Sequence, residues 1–449
     1  MRFTFYKISI GVMLAMLTLY IGSVSYYNTK ICDDICAVDL INKLNFGQYF
    51  SHIYNNWEGS YTQIIVSYML ALYWNTGTLF TYSVTLIVLT ITALYLFNRF
   101  IISQLKQITK NDHLKLFAIA ALSFLALFYG DTEVASSGFV WLTGSYSYVL
   151  SMCFLLLGLY LCFQPNNSQV VIGLLLLFLF AGFRLNYTLY VLLLITLVLL
   201  INLITSNNSN TTVYILIISV LLVGLLIYLK APGNAKRALT TGVALSSSAL
   251  LHKVTSLFFW KCFAGGMLYM IKVHLVKSSF FSTLICCSYF ILFNNYQLTN
   301  VPMRKLFIYS LSALIIVLIS HVFLMTLIMN GPGPSRTYVF IYFLKTATIF
   351  TFLYYIIDKY NLKNNNLIMG YTLVSIGVCA VAVTKFFIPD LANMQAQQLQ
   401  KKERASSIAI TTSDTLHLHA LTKCAYLPIE DNCIDFDPRL TNKIVVFDK

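Results

Sequence analysis

Two adjacent carboxylates, Asp33 and Asp34, follow the first apolar stretch of this 449-residue chain, which has only 16 acidic residues. Adjacent carboxylates repel each other and resist desolvation, so a pair beside a water-excluded pocket suits a general base or a cation ligand. The alternative is a helix N-cap, because an aspartate at this position would accept hydrogen bonds from the free N–H groups of the next segment. A cap needs one aspartate and leaves the other unexplained, so we predict a catalytic role for Asp33 or Asp34.

Aromatic, hydroxyl and acidic residues recur in three later segments and suit the binding of a sugar or another polyhydroxyl acceptor. An aromatic face stacks on the apolar side of a pyranose ring, while hydroxyl and carboxylate groups hydrogen-bond to its edge. The alternatives are Trp and Tyr anchors at the lipid headgroups and solvated helix caps. We predict acceptor or sugar contacts for Trp57, Glu58, Asp131, Glu133, Trp141, Thr143 and Ser145.

Basic residues accompany two tight turns and one helix end. Backbone N–H groups and cations in the turn that begins at Pro232 suit a phosphate or pyrophosphate, although the same turn reads as a helix terminator followed by interfacial cations. An arginine deep in apolar sequence is a site candidate unless it snorkels to the interface. The Gly/Pro turn that begins at Gly331 either adds a phosphate contact or is a plain connection. We predict phosphate contacts for Arg184, Asn234, Lys236, Arg237 and Arg336.

The composition requires that these residues work at a membrane. Hydrophobic residues make up 58% of the chain and charged residues 10%, whereas a soluble domain is about 25% charged. Apolar stretches of roughly 17–25 residues recur, which is the length that crosses a bilayer as a helix. The net charge of +14 is typical of basic cytoplasmic loops and of contact with anionic headgroups. It does not indicate nucleic-acid binding, because no basic stripe with interleaved aromatic residues is present.

The sequence therefore predicts an all-α, polytopic transmembrane bundle of about 11 helices, within a range of 10 to 13. Residues 1–392 form the membrane domain, and residues 393–449 form a small extracytoplasmic segment. The basic loop 98–115 is placed in the cytoplasm by the positive-inside rule, as is the N-terminus. Every polar motif named above then falls on the outer face. The expected spans are 8–27, 78–98, 114–130, 146–164, 170–186, 187–204, 211–229, 279–296, 306–329, 337–357 and 366–388, with 61–74 and 251–276 ambiguous.

No nucleotide-binding loop, dinucleotide-binding fingerprint or metalloprotease motif occurs in the chain. The sequence therefore predicts no certain cofactor and no dedicated metal site, although the acidic pair leaves a divalent cation possible. The expected partners are the membrane, a lipid-linked sugar donor and a glycan or lipid acceptor, with no nucleic acid.

The pattern resembles the GT-C class of integral membrane glycosyltransferases, which carry an acidic residue or pair in the first extracytoplasmic loop. More narrowly, it is similar to a little-characterised bacterial family of polytopic proteins near that class. The motifs that carry the resemblance span most of the chain, but each is short. One departs from the family's pattern, because Ser60 stands where a basic residue usually follows the Trp-x-Gly element. Those motifs are Asp33-Asp34, Trp57-Glu-Gly59, Trp141-Leu-Thr-Gly-Ser145, and Pro232-Gly-Asn234 with Arg237.

The resemblance implies transfer of a sugar from a polyprenyl-phosphate carrier on the outer face of a bacterial inner membrane. Asp33 or Asp34 would activate the acceptor hydroxyl, and the basic residues would stabilise the departing lipid phosphate. Two alternatives remain. A transporter or flippase for a lipid-linked glycan would favour broken helices and internal repeats. An O-antigen-type polymerase or ligase would depend on two arginine loops and would tolerate loss of the acidic residues.

Overall fold

The structure is a computed structural model that describes most of the membrane region. The described residues are 2–27, 40–74, 79–103, 110–205, 210–240, 247–293 and 302–360, with short pieces at 374, 377, 392–396, 399–400, 415–419 and 444–448. The acidic pair Asp33-Asp34 and nearly all of the expected span 366–388 lie outside them.

Helices dominate these residues, as expected for a chain that must satisfy its backbone N–H and C=O groups within each segment. We label the elements in chain order. They are α1 (Arg2–Tyr27), α2 (Phe46–Asn56), α3 (Tyr61–Trp74), α4 (Leu79–Ser103), α5 (Lys110–Gly130), α6 (Thr132–Ala135), π1 (Ser136–Val140), α7 (Leu142–Ser145), π2 (Tyr146–Leu150), α8 (Ser151–Cys162), α9 (Asn167–Ala181), α10 (Leu185–Ile204), α11 (Thr211–Leu229), α12 (Pro232–Thr240), α13 (Ser247–Thr255), α14 (Leu257–Tyr269), π3 (Met270–Lys277), α15 (Ser279–Leu292), α16 (Met303–Met329), the 3-10 turn Ser335–Tyr338, α17 (Val339–Lys359), β1 (Thr415–His419) and β2 (Ile444–Asp448).

Eight helices within the described residues are long and apolar enough to cross a membrane, so the chain is a multi-pass membrane protein. Six of them match expected spans closely, and two do not. Leu142–Cys162 begins before the expected span 146–164. Leu257–Phe290 joins the ambiguous stretch 251–276 to the expected span 279–296. The eight are Phe80–Ser103, Asp112–Gly130, Leu142–Cys162, Leu185–Ile204, Thr211–Leu229, Leu257–Phe290, Met303–Met329 and Ser335–Lys359.

The expected span 170–186 is shorter than predicted. Helix α9 has 15 residues and ends at Ala181, three residues before Arg184. Helix α9 packs closely on α8 through small residues, the usual way in which membrane helices associate. A Cβ on Gly173 would lie 2.7 Å from the Cys162 amide nitrogen, and one on Gly158 would lie 2.9 Å from Leu177 Cγ. The total of about 11 helices stays a prediction.

A turn precedes one of the candidate spans. The chain turns at Trp141, whose ψ of 124° is extended, between π1 and α7. Glycine is required at the crossing, because a Cβ on Gly144 would lie 1.8 Å from the carbonyl oxygen of Ser137. The turn therefore lies between two candidate spans, Asp112–Gly130 and Leu142–Cys162.

A small unit formed by α2 and α3 carries the segment Trp57–Ser60. Helix α2 begins at a capping box, in which Asn45 Oδ1 accepts from the Gln48 amide and Gln48 Oε1 accepts from the Asn45 amide. Its buried face packs against α3 and π2 in a separate apolar cluster. That cluster contains Ile41, Tyr49, Ile64, Ala71, Leu142 and Tyr146.

The C-terminal segment contains a two-stranded parallel sheet, in which β1 pairs with β2 from Thr415 opposite Ile444 to His419 opposite Asp448. Strand β2 consists of the apolar run Ile444–Phe447 followed by Asp448. Every other secondary-structure element of the described residues is a helix, which agrees with the predicted all-α bundle.

Candidate functional site

Two of the sequence motifs pack against each other at one end of the bundle. The segment after α2 meets the turn between α11 and α12, where Asn234 bridges the two backbones. Its Nδ2 donates to the Tyr228 carbonyl at 2.6 Å, and its Oδ1 accepts from the Gly59 amide at 2.9 Å. A Cβ on Gly59 would lie 2.2 Å from the Tyr228 oxygen, and one on Gly233 would lie 2.7 Å from the Trp57 nitrogen. In this structure Asn234 is a structural clamp, and both ends of its amide are engaged within the protein.

The clamp brings a buried carboxylate to two guanidinium groups. Glu58 is 7% exposed, and its Oε2 accepts a hydrogen bond from Arg237 Nη1 at 3.0 Å. The same oxygen lies 3.7 Å from Arg184 Nη1. Lys236 stands beside them and donates to Asn56 Oδ1 at 2.7 Å. Two arginines thus contact one carboxylate, and Lys236 contacts a residue two positions before it. We call Glu58, Arg184, Lys236 and Arg237 the cationic group.

Aromatic rings hold the two guanidinium groups in place. The Arg237 guanidinium carbon lies 5.1 Å from the centre of the Trp57 ring, and that of Arg184 lies 4.9 Å from the Tyr148 ring. These are cation–π distances. Trp57 is 55% exposed, so the Arg237 guanidinium that stacks on its ring remains partly exposed to solvent. The Arg184 side chain is 19% exposed and the Arg237 side chain 44%.

The turn between α9 and α10 sets the position of Arg184. Gly182 lets α3 approach this turn, because a Cβ there would lie 2.3 Å from Thr62 Oγ1. The Thr62 amide donates to the Gly182 carbonyl at 3.1 Å. Tyr61 adds a hydrogen bond to the Phe178 carbonyl at 2.7 Å. Helix α9 therefore ends against α3, and Arg184, which follows it, lies beside Glu58.

A shallow apolar groove, open to the outside of the bundle, lies between α9 and α11. Its volume is about 310 Å³. The carbonyl of Phe178, which lines the groove, accepts the hydrogen bond from Tyr61, so the groove reaches the last turn of α9. Its lining is Leu174, Leu175, Phe178, Ser219, Val220 and Val223.

Asp131 belongs to a second group of ionisable residues. Its Oδ1 caps α6 by accepting from the amides of Glu133 and Val134 at 2.9 and 3.2 Å. Its Oδ2 accepts from the Tyr342 hydroxyl at 2.6 Å and from His274 Nδ1 at 2.9 Å. Burial alone would raise the pKa of Asp131, but these hydrogen bonds outweigh it and hold the pKa below its usual value.

A buried lysine completes this second group. Lys345 is 2% exposed, and its Nζ donates to Ser278 Oγ at 2.7 Å and to the His274 carbonyl at 3.3 Å. His274 is 1% exposed, and its Nε2 has no hydrogen-bond partner within the described residues. Because a carboxylate only accepts, Nδ1 carries the ring proton, so Nε2 holds a lone pair in the neutral ring.

Four residues of this group were not among the predicted site residues: His274, Ser278, Tyr342 and Lys345. A signal was present for Lys345, because an ionisable side chain inside an apolar span is a site candidate by default. Nothing in the sequence connects Asp131 with positions more than 140 residues away, since only the packing of three spans brings them together.

The residues around Trp141 do not form an open hydroxyl platform in this structure. Ser145 is fully buried, and its hydroxyl is engaged by the Leu142 carbonyl at 2.8 Å and the Tyr82 hydroxyl at 2.9 Å. Thr143 is 7% exposed. Arg336 stands over the Trp141 ring at 5.1 Å instead of joining the contacts of the cationic group. Glu133 is exposed on α6.

The two groups lie at the same end of the helical bundle. Arg184 begins α10, Asp131 follows α5, and Tyr342 lies in the first turn of α17. Ring contacts connect them through the interior, from Tyr148 to Tyr187 at 5.7 Å and from Tyr187 to Phe340 at 5.3 Å. Aromatic contacts mark the opposite end, where Phe163 meets Phe100 and Tyr214.

The described residues contain no group of three or more His, Cys, Asp or Glu side chains arranged to hold a metal ion. Asp33 and Asp34, the predicted catalytic residues, lie outside the described ranges. Comparison with protein-family models, with curated proteins and with solved structures found no match to this chain.

Proposed function

We propose that this protein is a membrane glycosyltransferase that moves a sugar from a polyprenyl-phosphate donor to a glycan or lipid-linked acceptor. The reaction takes place at the end of the bundle that carries the cationic group, on the outer face of a bacterial inner membrane. The observation that carries the proposal is the buried carboxylate of Glu58 in contact with two arginines, Arg184 and Arg237.

The charge arrangement suits a phosphate whose negative charge grows as the sugar departs. Two guanidinium groups offer planar, fixed donors, which are the preferred partners of phosphate oxygens. One carboxylate holds both of them in place without neutralising both. Donors that are oriented before the reaction stabilise developing charge without reorganisation, which is the largest contribution in many enzymes.

The apolar groove supports the same donor. A polyprenyl chain needs an apolar path within the bilayer that ends at the phosphate site. The groove between α9 and α11 runs along helix α9, whose last turn leads to Arg184. Leu174 and Gly182 are eight residues apart, which is about 12 Å along a helix.

The base is assigned to the acidic pair. Glu58 is occupied by the two guanidinium groups, and Asp131 is occupied by Tyr342 and His274, so neither carboxylate is available for an acceptor hydroxyl. Asp33 or Asp34 lies in the connection between α1 and the small unit that carries Glu58. A base there removes the acceptor proton as the new glycosidic bond forms.

The test separates loss of transfer from loss of protein. Asp33→Asn, Asp34→Asn, Arg184→Gln and Arg237→Gln are each assayed for glycan extension, with the amount of protein in the membrane measured in parallel. Lys272→Gln is the control, because Lys272 is an exposed cation outside the group. We expect transfer to fall at least tenfold in one aspartate variant and in Arg184→Gln, with normal abundance. Full transfer in both aspartate variants would remove the proposal.

A transporter or flippase for a lipid-linked glycan is the second candidate. One observation favours it, the buried group of Asp131, His274 and Lys345 where three spans meet. Intramembrane ionisable residues are typical of secondary transporters. Purified protein in liposomes, given a fluorescent lipid-linked glycan, would move the label between leaflets if this candidate is right, and His274→Gln would slow that movement.

A further inference from the structure

A continuous chain of hydrogen bonds runs from the interior of one span to the edge of the bundle. It begins at Lys345 Nζ, which donates to Ser278 Oγ at 2.7 Å. Ser278 Oγ lies 3.1 Å from the Tyr342 hydroxyl. That hydroxyl donates to Asp131 Oδ2 at 2.6 Å. We call Lys345, Ser278, Tyr342 and Asp131 the relay chain.

The two ends of the relay chain differ in their access to water. Lys345 is 2% exposed and lies six residues after the start of α17, which is about 9 Å along the helix. Asp131 follows the last residue of the span Asp112–Gly130, and its side chain is 12% exposed. Water therefore reaches the carboxylate end of the chain.

Each ammonium hydrogen of Lys345 has a neighbour. Ser278 Oγ and the His274 carbonyl accept two of them, at 2.7 and 3.3 Å, and the centre of the Tyr342 ring lies 3.8 Å from Nζ. A carbonyl oxygen or an aromatic ring can accept a hydrogen bond but has no proton of its own to pass on. Within the described residues, Ser278 is therefore the group through which a proton can leave Lys345.

The two hydroxyl groups can be oriented so that each passes a proton onward. A carboxylate only accepts, so the Tyr342 hydroxyl donates to Asp131, and the Tyr342 oxygen can accept from Ser278. The Ser278 hydroxyl has two acceptors within reach, the His274 carbonyl and the Tyr342 oxygen. Rotation about the Cβ–Oγ bond turns its proton from the first to the second. The chain then points in one direction, from the ammonium to the carboxylate.

The two opposite charges are separated by hydroxyl groups instead of touching. No ion pair within the described residues joins Lys345 to Asp131. An ionisable residue inside a span is costly, and a direct ion pair would compensate it best, because the attraction falls with distance. The intervening hydroxyls weaken that compensation, but each can accept one proton while it donates another. The arrangement therefore suits proton transfer better than it suits stability.

We propose that Lys345 is a proton-binding site that exchanges its proton with water on the Asp131 side of the membrane. Lys345 gives a proton to the Ser278 oxygen as Ser278 gives its own to Tyr342. Tyr342 gives its proton to Asp131 Oδ2, which releases it to water. Lys345 is left as a neutral amine, both hydroxyls are restored, and uptake reverses each step. The proposed sugar transfer does not use these residues, so this inference goes beyond it and is independent of it.

Other titratable groups surround the relay chain on several elements. Within the described residues, none of their side chains is hydrogen-bonded to Lys345 or Ser278, so they influence the chain through their charge and leave its route unchanged. They are His274 on π3, Tyr269 on α14, Cys286 on α15, His321 on α16, Tyr338 in the 3-10 turn and Glu133 on α6.

Hydrogen exchange of the Lys345 ammonium group measures the relay directly. The full chain, with isotope-labelled lysines, is studied by NMR in detergent micelles, and the signal lost in Lys345→Arg identifies Lys345. We expect Tyr342→Phe and Ser278→Ala each to slow exchange of this ammonium with water by at least about tenfold, because each removes a group that transfers a proton. Either variant decides the question if the other does not fold.

Matched controls lie beside both positions. Tyr338→Phe removes a buried hydroxyl that donates to the Gly333 carbonyl, and Ser282→Ala removes one that donates to the Ala126 carbonyl. Both should leave the exchange rate of Lys345 as it is in the wild-type protein. A wild-type or faster rate in a folded Tyr342→Phe or Ser278→Ala protein, or equal slowing in the controls, would overturn the relay. The measurement needs no sugar lipid, so neither result bears on the proposed function.

Discussion

Replacing Glu58 by Gln tests how the two arginines are held. Glutamine keeps the size of the side chain and removes the charge that both guanidinium groups share. Coulomb's law at an effective dielectric constant of about 20 gives about 4.5 kcal/mol for the Arg184 pair at 3.7 Å and about 5.5 kcal/mol for the Arg237 pair at 3.0 Å. On distance alone, the attraction of Glu58 to Arg237 would therefore be stronger than its attraction to Arg184.

Solvent exposure reverses that ranking. The Arg237 side chain is 44% exposed and that of Arg184 is 19% exposed. Water and salt screen an exposed pair to less than about 1 kcal/mol. Desolvation offsets part of the attraction in the more buried pair, and we expect about 1–3 kcal/mol to remain between Glu58 and Arg184.

Two double-mutant cycles measure the difference. Glu58→Gln is combined with Arg184→Gln and, separately, with Arg237→Gln, and the free energy of unfolding is measured in mixed micelles. We expect the larger coupling energy for the Arg184 cycle. Inorganic pyrophosphate should stabilise Glu58→Gln more than the wild-type protein, because the cations lose their internal anion. An Arg237 coupling equal to or above that of Arg184 would refute the argument from exposure.

Three further changes test the packing and the second ionisable group. Gly59→Ala should destabilise the protein by at least about 2 kcal/mol, because the new Cβ would lie 2.2 Å from a carbonyl oxygen of α11. Gly265→Ala is the control and should not destabilise the protein, because a Cβ there would have no atom within 4 Å. Tyr342→Phe should cost about 1.5–3 kcal/mol of unfolding free energy, since it removes a hydrogen bond to a carboxylate, while Tyr309→Phe on an exposed face should cost nothing measurable. The folded-state pKa of Asp131 lies below its ordinary 3.8, so its charge stabilises the fold above about pH 4, and that contribution is lost as the pH falls through the folded-state pKa. Thermal unfolding from pH 7 to pH 2 should therefore show a stability gap between wild-type protein and Asp131→Asn that closes in acid, and a gap independent of pH would contradict it.

The sequence motifs predict part of this site, but not which residues contact each other. Trp57-Glu-Gly59 and Pro232-Gly-Asn234 were each marked as functional, and the structure shows that they touch. Their glycines and Asn234 are nevertheless explained by the contact itself, which holds Glu58 against Arg237. The placement of Arg336 over Trp141 was not expected, because a turn sequence does not reveal which ring it will meet.

The amino-acid sequence determined the class of this protein, because long apolar segments with few charges can satisfy their backbone only as membrane helices. It also identified Arg184 as a candidate site residue, since a cation in apolar sequence needs a nearby group of opposite charge. Only the tertiary structure decided that Glu58 is the compensating group and that Asp131 is held by His274 and Tyr342. Those contacts join positions more than 100 residues apart, and their geometry depends on how closely glycines allow the helices to approach.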